Sequence, residues 1–300
     1  MPTDRAIARD LEPVAGRALR DHLRKARKWD PDEHRPRGRN IADRHGIHLV
    51  APIPESDAGT GRMLTALALL EHDLPAWHRA LCAAFGRDGA WGAWIGRWTA
   101  EQGRHAIVLR DYLIGTGIAG PAEFEAARLA RADAGVRWPA ADAGPLPALV
   151  YATLAHAAIR TAYRRVGARS TQPATERMLR RVAADENLHL IFFRDLTAAA
   201  LALAPDAGMR AVAEVVAGFR PPHAALPGFG REAAIFAAYG GYDSTVHLTE
   251  VLLPTLRMWR VPERELGPDG ERARAALNAY LGEQAARCRA GSALPLAAAG

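Results

Sequence analysis

Apolar residues recur along this chain at intervals of three and four, and polar residues fill the gaps. Residues 5 to 29 place Leu11, Ala15, Leu19, His22 and Leu23 on one stripe, which predicts an amphipathic helix. Its other face carries Arg17, Arg20, Arg24, Lys25, Arg27 and Lys28, either a solvated surface or a docking patch. Residues 30 to 48 are polar, contain Pro31 and Pro36, and predict an irregular arm that leaves through a turn at residues 52 to 54. Four long helices are expected next, over 59–86, 90–117, 147–166 and 174–204. Pro75 cannot donate to the carbonyl of Glu71, so the first should bend there, and Pro205 ends the fourth. Further helices are expected at 206–219, 230–240, 244–259 and 269–289, with a frayed tail from Ala290. Strand signals are sparse. The expectation is one all-α domain over 1–300: helix and arm (1–58), core bundle (59–204), additional helices (205–289) and tail (290–300).

The unusual feature is what sits in the middle of the apolar stripes. Glu71, Gln102 with His105, His156, and Glu186 with His189 occupy stripe centres, where an unpaired polar group is costly. Glu186 and His189 are three apart and project from one helical face. Carboxylate-bridged di-iron bundles take a Glu-x-x-His from each of two helices and one Glu from each of two others. The chain follows that plan with Gln102 and His156 in place of two carboxylates.

Composition narrows the field further. A chain of 300 residues with 49% hydrophobic residues can bury a sizeable core. No apolar run reaches the roughly 18 residues of a membrane-spanning helix, and Met1-Pro2-Thr3-Asp4-Arg5 lacks a signal peptide's apolar core. Cys82 and Cys288 lie far apart and form no metal pattern; a reducing cytoplasm is the expected location. The formal net charge of +6 comes almost wholly from arginine, since Lys25 and Lys28 are the only lysines. In an alanine-rich chain with no nucleic-acid motif, that charge reads as composition bias rather than a phosphate-binding face, though a positive surface could still attract an acidic partner.

Several stretches together resemble the soluble acyl-acyl-carrier-protein desaturases, a ferritin-like di-iron family. They are Lys28-Trp29-Asp30-Pro31, Glu71-His72-Asp73-Leu74-Pro75, Trp98-Thr99-Ala100-Glu101-Gln102-Gly103-Arg104-His105, Arg110-Asp111-Tyr112-Leu113, and Ala183-Ala184-Asp185-Glu186-Asn187-Leu188-His189. The resemblance spans about residues 10 to 290. It implies a ferritin-like four-helix bundle, an acyl chain delivered by acyl carrier protein, O2 as oxidant, a ferredoxin-type electron donor, iron as cofactor and a homodimer. It also implies that Glu71 is a terminal carboxylate ligand, His105 and His189 the histidine ligands, and Glu186 a bridging carboxylate. Asp185 with Trp29 corresponds to the family's electron-delivery pair.

The departures fall on ligands. Gln102 stands where the family has its second bridging glutamate, and Ala155-His156 where it has a Gln-Glu pair. Four carboxylates balance two ferrous ions, whereas Glu71 and Glu186 alone leave about 2+ uncompensated in a buried site, a cost of several kcal/mol per ion. His156 as a neutral imidazole ligand, Glu101 turned inward as a compensating ligand, or a site with one metal or none are the open alternatives. The acyl chain is expected in a tunnel beside Leu109, Ile159, Phe192 and Phe193. Two functions follow: an oxidising enzyme, or an impaired homologue that binds acyl chains or carrier protein or serves as a partner subunit.

Overall fold

The computed structural model describes residues 2–36, 58–135, 143–221, 234 and 236–290. Among them every regular element is a helix. In chain order these are α1 (Pro2–Asp10), α2 (Glu12–Lys25), a 3-10 turn (Pro31–His34), α3 (Ala58–Glu71), α4 (Leu74–Phe85), α5 (Gly89–Gly115) and α6 (Pro121–Asp133). They continue with α7 (Pro145–Arg169), α8 (Pro173–Leu203), α9 (Pro205–Gly218), a composite α10 (Ser244–Val246, His247–Leu252 and Leu253–Met258) and α11 (Pro268–Arg289). Pro13, Pro75, Pro121, Pro145, Pro173, Pro205 and Pro268 each stand in the first turn of a helix, where the missing N–H has no intrahelical bond to lose.

The core bundle is α3 with α4, α5, α7 and α8. Helices α7 and α8 pack most closely, and α2 lies across α5 and α8. Helix α7 is buried on nearly all sides, as expected of an element apolar around its full circumference. Trp91 and Trp94 of α5 pack against Phe192 and Phe193 of α8, and all four are essentially inaccessible to solvent. Trp94 stacks on Phe192 with ring centroids 3.6 Å apart.

Several expected helices are divided. The 5–29 segment breaks at Leu11, because Pro13 opens a new helix. The 59–86 segment is two helices, and Glu71 is the last residue of α3. Across the break His72 donates to the Leu69 carbonyl at 3.2 Å and Asp73 to the Leu70 carbonyl at 3.1 Å. These are tightened, three-residue bonds of the kind that end helices. The buried Asp73 carboxylate then receives the Arg131 guanidinium of α6, a helix that apolar periodicity did not reveal. In α10, Pro254 cannot donate to the Glu250 carbonyl, and the preceding His247–Leu252 stretch adopts π register. The arm is described only to residue 36, where Asp30 and Glu33 form a capping box on the 3-10 turn. The tail after Ala290 and residues 230–233 and 235 of the expected 230–240 helix lie outside the described residues, and residues 236–238 are helical. No described helix is long and apolar enough to cross a membrane.

Candidate metal centre

The five donor residues meet at the centre of the bundle. Glu71 arrives from the end of α3, His105 from α5, His156 from α7, and Glu186 with His189 from α8. His105 Nδ1 lies 3.1 Å from Glu186 Oε1 and 4.0 Å from Glu71 Oε1. His156 Nδ1 lies 2.6 Å from Glu186 Oε2, and His189 Nδ1 lies 3.7 Å from Glu186 Oε1. Two donor triads result, Glu71–His105–Glu186 and His156–Glu186–His189, each with its atoms within 4.8 Å of one another. Glu186 belongs to both.

The donor set fits a metal ion. His105 Nδ1, His189 Nδ1 and Glu186 Oε1 are buried and make no hydrogen bond, which is expensive for polar atoms out of water. A cation among them satisfies all three at once. Imidazole with carboxylate suits iron, zinc or another first-row metal. The first triad brings two carboxylates and the second only one, so their charges are unequal.

Around these donors lies an outer layer of acids. Asp185 Oδ2 accepts from the Trp29 indole at 2.7 Å and lies 3.5 Å from His105 Nε2, while Asp185 Oδ1 pairs with Arg181. Glu101, one of the open alternatives for a compensating ligand, does point inward, but onto ring nitrogens of this outer layer. Its Oε2 accepts from His189 Nε2 at 2.8 Å and His22 Nε2 at 3.0 Å, and its Oε1 pairs with Arg97 at 2.5 Å. His22, Glu101 and His189 also satisfy the spacing of a metal triad. Both ring nitrogens nevertheless direct N–H groups at the carboxylate, and the guanidinium already balances its charge.

The electrostatics follow from burial and these partners. Burial pushes the Glu71 carboxyl up to about 7, against the opposing pull of His105 and Tyr163; the Tyr163 hydroxyl donates to Glu71. Burial acts the same way on Glu186, but His156, His105 and His189 outweigh it and hold the carboxyl well below the usual range. Hydrogen bonds from His189 and His22 likewise overcome burial at Glu101 and hold it low. Burial lowers His156 despite Glu186, whereas Glu101 and Glu186 raise His189 against burial.

Gln102 lines a shallow cleft, open to solvent, with Leu70, Glu71, Leu74, Trp77, Trp98 and Ile159, and its buried Oε1 makes no hydrogen bond. Ile159 was expected beside the acyl chain, but Leu109, Phe192 and Phe193 are not at this cleft. Leu109 is buried core, Phe192 stacks on Trp94 and Phe193 stacks on His156. Sequence reasoning placed His22 on an apolar stripe without assigning it a role, and it missed Arg97 and Tyr163 as partners of the site acids. The signal for His22 was a histidine among leucines, on the stripe that buries.

A family model described as "Fatty acid desaturase" matches residues 3–290. DesA1 of Mycobacterium tuberculosis, which carries the name of an acyl-[acyl-carrier-protein] desaturase, is 35% identical over 272 residues, 88% of this chain and 80% of its own. Acyl-[acyl-carrier-protein] desaturase 6, chloroplastic, of Oryza sativa subsp. japonica is 31% identical over 273 residues, 82% of this chain and 64% of its own. The X-ray structure of DesA2 from Mycobacterium tuberculosis superposes with a TM-score of 0.68 at 23% identity, over 89% of this chain and 99% of that one. That last likeness shows the shared fold.

Proposed function

The chain belongs to the acyl-acyl-carrier-protein desaturase family, and from that premise we propose that it introduces a double bond into a fatty acyl chain carried by acyl carrier protein. The reaction consumes O2, two electrons and two protons, removes two hydrogens from adjacent carbons and releases two waters. Glu71, His105, Glu186, His189 and His156 would hold the metal. Iron bound there would supply the O2 activation. The observation that carries this reading is Glu186 shared between two triads, which supports two unequal positions. Glu71, His105 and Glu186 would hold the first ion, and His156, Glu186 and His189, poorer in charge, would hold a second weakly or not at all.

The chain's residues do the remaining work. Asp185 takes the His105 ring on one side and the Trp29 indole on the other, a connected route for electrons from a ferredoxin-type donor. The Tyr163 hydroxyl holds Glu71, and the solvent-open cleft that Gln102 and Glu71 share with Leu70, Leu74, Trp77, Trp98 and Ile159 is where the acyl chain would enter. Arg104 and Arg181 flank Trp29, 5.5 and 5.7 Å from the ring, and both face the Asp185 carboxylate that Trp29 bonds.

Metal content after anaerobic loading with ferrous iron tests the reading. About one iron per chain, with an O2-dependent absorption change, is expected. No retained metal under any loading condition would refute it, and the chain would then stand as a binding or partner subunit. The double variant Gln102→Glu with His156→Glu restores two carboxylates and is expected to raise iron content towards two per chain.

A further inference from the structure

The outer layer repeats itself across the site. On α8, Asp185 precedes Glu186, lies four residues before His189, and pairs with Arg181 one helical turn back. On α5, Glu101 precedes Gln102, lies four residues before His105, and pairs with Arg97 one turn back. Each acid uses its other oxygen to reach across to the histidine of the opposite helix: Glu101 accepts from His189 Nε2 at 2.8 Å, while Asp185 lies 3.5 Å from His105 Nε2, which makes no hydrogen bond. That same oxygen accepts an N–H from the N-terminal region, Trp29 for Asp185 and His22 for Glu101. Two matching arms therefore embrace the site, each an arginine, an acid and a ring N–H donor.

We infer that His22 and Glu101, with Arg97, form a positioning arm for His189 that makes metal retention depend on the N-terminal helix α2. A carboxylate only accepts, so both imidazoles must present N–H at Nε2. In His189 this leaves Nδ1 as the atom turned towards Glu186 and the centre, the orientation a metal ligand needs. Carboxylate-to-histidine contacts of this kind fix ring orientation and tautomer. The arm is built rather than incidental: the His22, Glu101 and His189 side chains are each at most 2% exposed. The His22 ring also stacks against the His189 ring with centroids 5.7 Å apart and 17° between planes, which blocks rotation of His189 towards α2. Removing the His22 donor frees the Glu101 oxygen to follow Arg97 and releases His189.

The inference rests on the proposed metal site, and the test separates the two. Full-length protein and the variants His22→Phe, His22→Gln, Glu101→Gln and Asp185→Asn are titrated with Co(II) against a competing chelator. Each variant is also labelled with 15N-histidine and its ring nitrogens observed by NMR without metal. His22→Phe and Glu101→Gln are expected to weaken Co(II) binding by roughly 10–100-fold, as is Asp185→Asn through the opposite arm. His22→Gln, which retains an N–H donor, should recover most of the loss. In the metal-free protein the slowly exchanging Nε2 proton of His189 should be lost in His22→Phe and Glu101→Gln and kept in Asp185→Asn. Wild-type-like Co(II) affinity in a folded His22→Phe chain, or an unaltered His189 Nε2 proton in Glu101→Gln, would overturn the inference. Should wild-type protein take up no Co(II), the metal reading falls, and the NMR comparison alone decides whether the arm positions His189.

Discussion

The α5 and α8 halves of the site share an outer framework and differ within it. Asp185 and Glu101 make corresponding contacts with an arginine, a ring N–H and the opposite histidine. One step inward the correspondence ends. Glu186 on α8 contacts histidines of three helices, while Gln102 on α5 lines the cleft with its buried Oε1 lacking a hydrogen bond. The difference teaches that holding the histidines and supplying the charge are separate tasks. The framework around the rings is closed by a hydrogen bond at His189 and stops 3.5 Å short of one at His105; the two inner carboxylates come from α8 and α3.

Changing the two inner positions gives the largest contrast. Glu186→Ala should lose more metal affinity than the roughly 10–100-fold typical of an outer partner, whereas Gln102→Ala should stay within about threefold of wild type, since a neutral amide is a poor ligand; chelator competition measures both. The outer acids come next. Asp185→Asn and Glu101→Gln should weaken metal retention alike, but only Asp185→Asn should also slow reduction by a chemical electron donor in stopped flow, because only its arm holds an indole. Equal reduction rates would show that the two arms do not differ in electron delivery. A last prediction, on stability rather than metal retention, serves as a control remote from both halves. Burial lowers His247 to about 4, where it stacks on Phe219 and bonds to the Tyr242 hydroxyl. The unfolded chain protonates this ring near 6.5 and the folded chain only near 4. Its neutral form therefore contributes stability that is complete above pH 6.5 and is lost as pH falls to 4. Denaturant melts should show His247→Phe removing roughly 1.4 kcal/mol per pH unit of slope across that window.

The sequence made the inner site legible because burial and helical period are local properties. Polar residues centred on apolar stripes had to meet one another, and Glu71, His105, His156, Glu186 and His189 do. The division of 59–86 was legible from Pro75, since the lost hydrogen bond is a consequence of a single residue type. The outer arms were not, apart from the Trp29–Asp185 pair implied by resemblance. His22 reaches Glu101 across 79 positions of chain, and no periodicity encodes which distant carboxylate a buried histidine will find. Glu101 illustrates the same limit: inward orientation was open to inference, but its partners were fixed by where α2 crosses α5 and α8. Helix α6 escaped notice because its charged, alanine-rich surface carries little apolar contrast, though Arg131 on it neutralises a buried acid.

The break after Glu71 makes the site mechanically uneven. His105, His156, Glu186 and His189 sit well inside helices of 25 to 31 residues, where moving one side-chain base means straining turns on both sides. Glu71 ends its helix and is restrained beyond the break by the Asp73–Arg131 pair, so its backbone is tethered rather than clamped. Four walls of the cage are rigid and the fifth is compliant. Any adjustment in size between a loaded and an unloaded centre is thereby channelled to Glu71, beside the cleft that Leu74 and Trp77 line. Filling the cage and reshaping its entrance become one displacement.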